Sequence, residues 1–279
     1  LGIKKKLRLP WIADFRDLWT QSDYQDQFML TPVAAFIHRS QEKKVLTSAD
    51  RITTIGQTMK HDLEKAGARN VEVITNGFDE EGITENPVST DEKFSIAHIG
   101  TLVKTRNPVL LWRVLSGLVK ENKEFSTFLQ IKLVGKVDFE VEEKIEQFGL
   151  KPWLLKISYL PHRDVIAEQQ RSQILLLLIN QTPNAKGILT GKFFEYLAAG
   201  RPILAIGPPD GDAAAILRET GAGKICNFND EENLKKIILE YFILFKEKKL
   251  ISSAKNIEQY SRRELTRQLA SLLNSLVKL

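Results

Sequence analysis

The sequence predicts an α/β protein built on a doubly wound parallel sheet, with a partial sheet of the same kind ahead of it. Three observations carry this expectation. Short apolar runs of strand length alternate with longer stretches of helical spacing, which is the pattern of right-handed βαβ units. The run 174–179 is apolar at every position, as a central strand covered on both faces must be. A polar, aperiodic stretch at 80–91, broken by Pro87, divides two such series, and 279 residues leave room for two unequal domains.

The elements follow in order. Residues 10–13 read as a short strand ending in the polar cluster Asp14, Phe15, Arg16 and Asp17. Thr31 and Pro32 supply the cap and first turn of a helix that runs to about residue 48. A strand at 51–55, a helix at 57–66 stopped by Gly67, and a strand at 71–75 come next; Asn76-Gly77-Phe78-Asp79 then turns the chain. The second series has strands at 94–99, 128–134, 154–159, 174–179, 202–206 and 224–226. Its helices are expected at 107–120, 140–148, 163–171, 189–199, 213–219 and 231–248. Residues 254–279 read as one amphipathic helix, with Ile257, Leu265, Leu269, Leu272 and Leu276 on one side. The expected organisation is a first unit at 1–83, a linker at 84–93, a second unit at 94–250, and a terminal helix at 251–279 packing back on the N-terminal part. Leu1 is not a methionine and no apolar leader precedes the lysines at 4–6, so the chain reads as part of a longer protein.

Composition excludes several classes. The single cysteine, Cys226, rules out a disulfide framework and a Cys-rich metal site, and it fits a reducing, cytoplasmic compartment. Four histidines leave little material for a metal cage, and no metal site is expected. The longest apolar run is far below the ~20 residues of a spanning helix. A net charge of +5, spread along the chain, suits no nucleic-acid platform. It suits a phosphorylated ligand, or peripheral contact with an anionic inner membrane surface.

Doubly wound sheets bind ligands outside the carboxyl ends of their strands. After the strand 94–99 comes Gly100, where backbone can approach a ligand, then Thr101. Lys104 and Arg106 follow, two cations at the start of the next helix. After the strand 174–179, a polar loop feeds a helix beginning near residues 189–191, so that backbone N–H groups around Thr190 and Gly191 face the ligand edge. Lys192 adds a cation in that first turn. Glu195, one turn further, either compensates the helix dipole or accepts both hydroxyls of a ribose. The loop after the strand 154–159 places the Leu160 backbone where it can touch a base. Two motifs fail: the run from Gly187 to Lys192 lacks the spacing and the Ser/Thr of a phosphate loop, and no Gly-x-Gly-x-x-Gly follows a strand. Asp210-Gly211-Asp212 has the spacing of some metal sites, but capping of the next helix explains it better.

Taken together, Gly-x-Leu followed by Arg106, the phosphate-type helix start, and Glu195 with Gly200-Arg201-Pro202 resemble retaining GT-B glycosyltransferases. The closest type is family 4, particularly its bacterial surface-polysaccharide members. The resemblance implies two Rossmann-like domains: residues 10–19 and 74–79 resemble the end of the acceptor domain and its hinge, and 94–248 the donor domain. It puts Arg106 on a diphosphate-binding lysine and Glu195 on the ribose-binding second Glu of Glu-x7-Glu. Thr101 stands where the family has Arg, Gly187 where it has the first Glu, and Lys192 replaces the lost charge. Arg106 and Lys192 are thus the expected catalytic cations, and Gly100, Thr101, Leu160, Thr190, Gly191 and Glu195 the donor site. Asp14, Arg16 and Asp17 are acceptor-side candidates. The implied donor is a nucleotide-diphosphate sugar, used without cofactor or metal, and the acceptor a glycan or lipid-linked molecule. A nucleotide-sugar epimerase of the same fold and a non-catalytic nucleotide-binding module are the competing readings. Transfer by this piece alone is not expected.

Overall fold

A computed structural model describes residues 2–22, 28–80 and 88–277. A short helix α1 (Gly2–Leu7) leads into β1 (Ile12–Phe15), α2 (Pro32–Ser48), β2 (Arg51–Thr54), α3 (Gln57–Lys65) and β3 (Val71–Val73). The three strands form a parallel sheet in the order β1-β2-β3. β1 is shifted from its expected place and takes in Asp14 and Phe15. The physical reason is alternation: Ala13 and Phe15 enter the core while Asp14 points out, opposite Thr53. α2 starts as expected, with the Thr31 hydroxyl accepting from the Ala34 N–H at 3.3 Å. α1 was not expected; its six residues are held by Lys4, which donates to the Ser48 carbonyl at 2.6 Å and pairs with Asp50 at 2.7 Å.

The second sheet is built from β4 (Phe94–Ile99), α4 (Val109–Glu121), α5 (Lys123–Phe128), β5 (Leu129–Val134), α6 (Phe139–Gln147), β6 (Leu154–Ile157), α7 (His162–Arg171), β7 (Ile174–Leu178), α8 (Gly191–Ala198), β8 (Ile203–Ile206), α9 (Asp212–Thr220), β9 (Gly223–Cys226) and α10 (Glu231–Lys246). All pairings are parallel, in the order β6-β5-β4-β7-β8-β9. The central strands β4 and β7 are buried along their whole length. Strand order reverses between them, so the loops after β4 and β7 diverge and leave a crevice. α5, also unexpected, is too short to stand alone. Asn122 caps it through the Glu124 and Phe125 N–H groups, and Phe125 packs edge-on against Phe94 and Phe242.

The tail departs from the expected single helix. Asn256 is in the left-handed region, Ile257–Tyr260 form a 3-10 turn, and α11 (Arg262–Val277) begins only after Ser261. The Ser261 hydroxyl accepts from the Glu264 N–H at 3.3 Å, the first half of a capping-box sequence that restarts the helix. Residues 278 and 279 lie outside the described residues. The segment before α11 crosses to the first sheet: Phe78 and Tyr260 share a backbone hydrogen bond of 3.1 Å, and the Arg262 N–H donates to the Phe78 carbonyl at 2.9 Å. A Cβ on Gly77 would stand 2.4 Å from the Tyr260 carbonyl oxygen, so this crossing requires glycine there.

Residues 84–87 of the expected linker lie outside the described residues, and its described end is anchored. The Asp91 carboxylate accepts from Ser95 Oγ at 2.6 Å and pairs with Lys132, which also meets Glu168 at 2.5 Å. Gln173 donates to the Asp91 carbonyl at 2.6 Å and accepts from Arg201 at 2.8 Å.

A second tie joins the two sheets. Asp212 does not cap its own helix, as expected from its position; Gly211 holds that place without a side-chain bond. The Asp212 carboxylate instead reaches the start of α3, accepting from the Thr58 N–H at 3.1 Å and the Thr58 hydroxyl at 2.9 Å. Gly56 makes room, since a Cβ there would stand 2.3 Å from Asp212 Oδ2. Burial raises the Asp212 carboxyl pKa above the usual range, against the Thr58 hydrogen bonds. Asp212→Ala should therefore cost about 1 kcal/mol, the usual loss for a helix cap. A thermal melt reads this, and an unchanged Tm would show that the tie carries no stability.

Candidate active site

The crevice is shaped by what happens where β4 and β7 part. They pair only at Ile96↔Ile174 and Ala97↔Leu175. Beyond that point buried backbone groups need other partners. The His98 ring Nδ1 lies 3.2 Å from the Leu176 carbonyl, and the Ile99 N–H donates to the Tyr196 hydroxyl at 3.0 Å. Both side chains are buried, and burial raises the Tyr196 phenol well above its ordinary pKa. Burial, helped by the Lys192 charge, pushes His98 down to about 3, so its imidazole is neutral. With Nδ1–H donating to the carbonyl, the lone pair of Nε2 faces Lys192 Nζ at 3.4 Å.

Lys192 therefore lies at the floor of the crevice, in the first turn of α8. Its amine lies under Gly100, whose φ is +113°; a Cβ there would stand 2.7 Å from Nζ. The positive φ requires glycine at that position, and a Cβ there would displace the Lys192 amine. Burial, and then the positive Arg106, lower the Lys192 pKa to about 8, while Glu195 acts in the opposite sense. Arg106 ends a 3-10 turn after β4, and its Nη2 donates to the Thr101 carbonyl at 3.4 Å. Its Nε is buried without a hydrogen-bond partner, a costly state for a guanidinium donor. Glu195 accepts from Gln169 Nε2 at 3.3 Å.

The structure thus gathers Gly100, Arg106, Lys192 and Glu195 into one charged cluster. Thr190 is the cap residue of α8 but makes no side-chain capping bond, and space is open around Gly191. Thr101 is exposed and contributes its carbonyl to Arg106. Leu160 is half-buried and packs against the core. Lys104 does not join the cluster: it pairs on the surface with Glu140 at 3.2 Å, because the 3-10 turn points it away from Arg106.

A cavity of about 400 Å³ opens between the two sheets, lined by Arg16, Asp17 and Asn76 on one side and by Arg106, Asn180 and Thr190 on the other. Asn76 spans it, donating to the Leu189 carbonyl at 3.1 Å. Asp14 is not among its lining residues. One of its oxygens accepts from the Thr53 hydroxyl at 2.7 Å and the other from Arg16 Nε at 2.8 Å, which holds Arg16 against the Ile74 carbonyl. His98, Tyr196 and Asn76 escape sequence reasoning. Only His98 carries a local signal: it is the one ionisable residue of β4, a strand buried along its whole length. Among the described residues no group of three His, Cys, Asp or Glu side chains is arranged to hold a metal, and no helix is long and apolar enough to cross a membrane.

No protein-family model matches this sequence, and no curated protein is similar to it. Solved structures are. HepE of Anabaena in complex with UDP aligns with 98% of this chain and 74% of its own, at 16% identity and a TM-score of 0.74. Sucrose-phosphate synthase of Thermosynechococcus elongatus aligns with 99% of this chain and 71% of its own, at 14% identity and a TM-score of 0.69. WaaG, a glycosyltransferase involved in lipopolysaccharide biosynthesis, aligns with 98% of this chain and 78% of its own, at 13% identity and a TM-score of 0.65. These neighbours are GT-B glycosyltransferases, and at such identities the likeness shows the fold: Rossmann-like α/β architecture on parallel sheets.

Proposed function

We propose that this chain binds a nucleotide-diphosphate sugar at the crevice between β4 and β7 and serves a glycosyltransferase as its donor-binding part. The observation that carries the reading is the buried, unpartnered Arg106 Nε beside the partly desolvated Lys192, at the edge where a doubly wound sheet takes its ligand. A diphosphate placed there supplies the missing acceptor and two negative charges. HepE, with UDP and in another structure with UDP-glucose, supports the same ligand class.

When the bond from the anomeric carbon to the β-phosphate breaks, negative charge grows on the leaving diphosphate. Arg106, Lys192 and the start of α8 form a fixed clamp for that charge, so the reading needs no metal cofactor. The resemblance to retaining enzymes adds retention at the anomeric carbon: the acceptor hydroxyl oxygen bonds to the face the diphosphate leaves, and its proton passes to an oxygen of the departing diphosphate. In this reading Arg16 and Asp17, which line the cavity opposite Arg106, hold the hydroxyls of a glycan or lipid-linked acceptor. In this division residues 1–83 belong to the acceptor side and 94–250 to the donor side, with 251–279 returning to the acceptor side.

Glu195 tests the ribose contact. Hydrogen bonds to a charged group contribute roughly 1.5–3 kcal/mol, so Glu195→Ala should weaken UDP binding by one to two powers of ten at unchanged thermal stability. Titration calorimetry measures it. An unchanged dissociation constant assigns Glu195 to the helix dipole alone.

A further inference from the structure

Lys192 carries its amine on a flexible four-carbon stem, and an unheld lysine gives up that freedom only when a ligand arrives. A partner that fixes the amine beforehand removes part of that cost. Lys192 is half-buried under Gly100, and its carboxylate neighbour does not serve: Glu195, one turn along α8, accepts instead from Gln169. Among the described residues the amine has one hydrogen-bonding partner, Nε2 of His98 at 3.4 Å.

The orientation of that imidazole is itself fixed. His98 stands one residue past the last pair between β4 and β7, and its Nδ1 meets the Leu176 carbonyl at 3.2 Å. The contact needs a proton on Nδ1, because the other tautomer turns a lone pair toward the carbonyl oxygen. The Thr101 carbonyl also faces the ring but already accepts from Arg106 at 3.4 Å, so the Leu176 bond sets the tautomer. The ring is 1% exposed, and burial beside Lys192 and Arg106 keeps it uncharged. Nε2 is left with a lone pair, an acceptor aimed at the amine. We infer that His98 is a positioning residue for the diphosphate site: Leu176 fixes its imidazole, and Nε2 in turn holds the Lys192 amine at the crevice floor. The inference rests on the nucleotide reading of the crevice and adds to it a side chain that touches no ligand. Three groups face the amine: His98 from β4, Arg106 from the turn after it, and Glu195 from α8. The Nε2 lone pair favours the ammonium form, in the same sense as Glu195 and against Arg106 and burial. Without it the amine loses its proton at lower pH, and the alkaline decline of UDP affinity moves down with it.

Two neutral substitutions separate the two ring nitrogens. His98→Asn puts an amide near the Nδ1 position and keeps a donor for Leu176, whereas His98→Gln reaches the Nε2 position and keeps an acceptor for Lys192. Acetylation of Lys192 by acetic anhydride across a pH series, read by mass spectrometry, titrates the amine in the free protein. Calorimetry gives the affinities for UDP and uridine. His98→Asn should move the acetylation midpoint to lower pH, weaken UDP about ten-fold near pH 8 and leave uridine at its wild-type affinity; His98→Gln should restore most of both. Nitrogen-15 shifts of the His98 ring in the wild-type chain need no variant, and they should show Nδ1–H with an accepting Nε2. A ring protonated on Nε2 overturns the inference. So does a His98→Asn chain that melts lower yet keeps the wild-type midpoint and UDP affinity while Lys192→Ala loses UDP, which leaves His98 a packing role only. A wild-type chain that binds no UDP is a distinct result: it removes the nucleotide reading, and this inference falls with it.

Discussion

Lys192→Ala should weaken UDP binding about ten- to 150-fold while leaving uridine binding nearly unchanged, as expected for loss of a charged hydrogen bond worth roughly 1.5–3 kcal/mol. The selectivity for the diphosphate is the diagnostic part, because Lys192 lies beside the positive Arg106 and under Gly100. Salt dependence should flatten in the same variant, one screened attraction having been removed. The pH profile gives an independent check. In the free protein the Lys192 pKa is lowered to about 8, chiefly by burial and then by Arg106. A diphosphate beside it favours the ammonium form and raises that pKa. Binding is therefore strongest below pH 8, where the amine is already charged. Above pH 8 the free protein has lost the proton and must regain it on binding, so affinity falls with rising pH. His98 adds no titration of its own in this range, since it is neutral down to about pH 3. Calorimetry between pH 7 and about 9.5 should show the decline in the wild type and a flat profile in Lys192→Ala. Parallel losses for uridine and UDP would remove Lys192 from the diphosphate site.

Lys132→Met should destabilise the fold by about 3–5 kcal/mol, the usual result of breaking a buried ion pair from one side. Lys132 is 2% exposed and stands between Asp91 and Glu168, on a strand that pairs with β4. Its removal leaves two carboxylates facing each other with little water to screen them. Asp91 also anchors the end of the connection into the second sheet, through Ser95 and Gln173. The loss should thus appear as a lower urea midpoint, and a variant that also carries Glu168→Leu should recover part of it. A loss below about 1 kcal/mol would show that solvent reaches the cluster and relieves the charge.

The two experiments probe features that differ in how visible they are in a linear sequence. Strand and helix signals are local. The unbroken apolar run at β7, the Thr31-Pro32 start of α2 and the Gly67 stop after α3 each act within a few residues, and each element lies close to its expected place. From the alternation of such elements the parallel, doubly wound sheet follows by chain handedness, and with it the sheet edge where a ligand belongs. Arg106, Lys192 and Glu195 were therefore legible as candidates: the loop after a known strand is a short search.

Only the folded chain decides which of those groups meet. Lys104 and Arg106 are two residues apart, yet a single 3-10 turn sends one to Glu140 on the surface and the other into the cleft. Asp212 sits in the sequence of a helix cap and instead caps a helix 154 residues earlier in the chain. α5 and α1 exist because Phe125 and Lys4 find distant partners, not because six residues favour a helix. His98 becomes part of the site because β4 and β7 part after two paired residues, a separation set by strand order. Local propensity acts over a turn or two of chain, and it determined most of the elements, the parallel sheet and the edge to search. Burial, charge pairing and the satisfaction of backbone groups act across space, between residues up to 154 positions apart, and they brought the candidate site together.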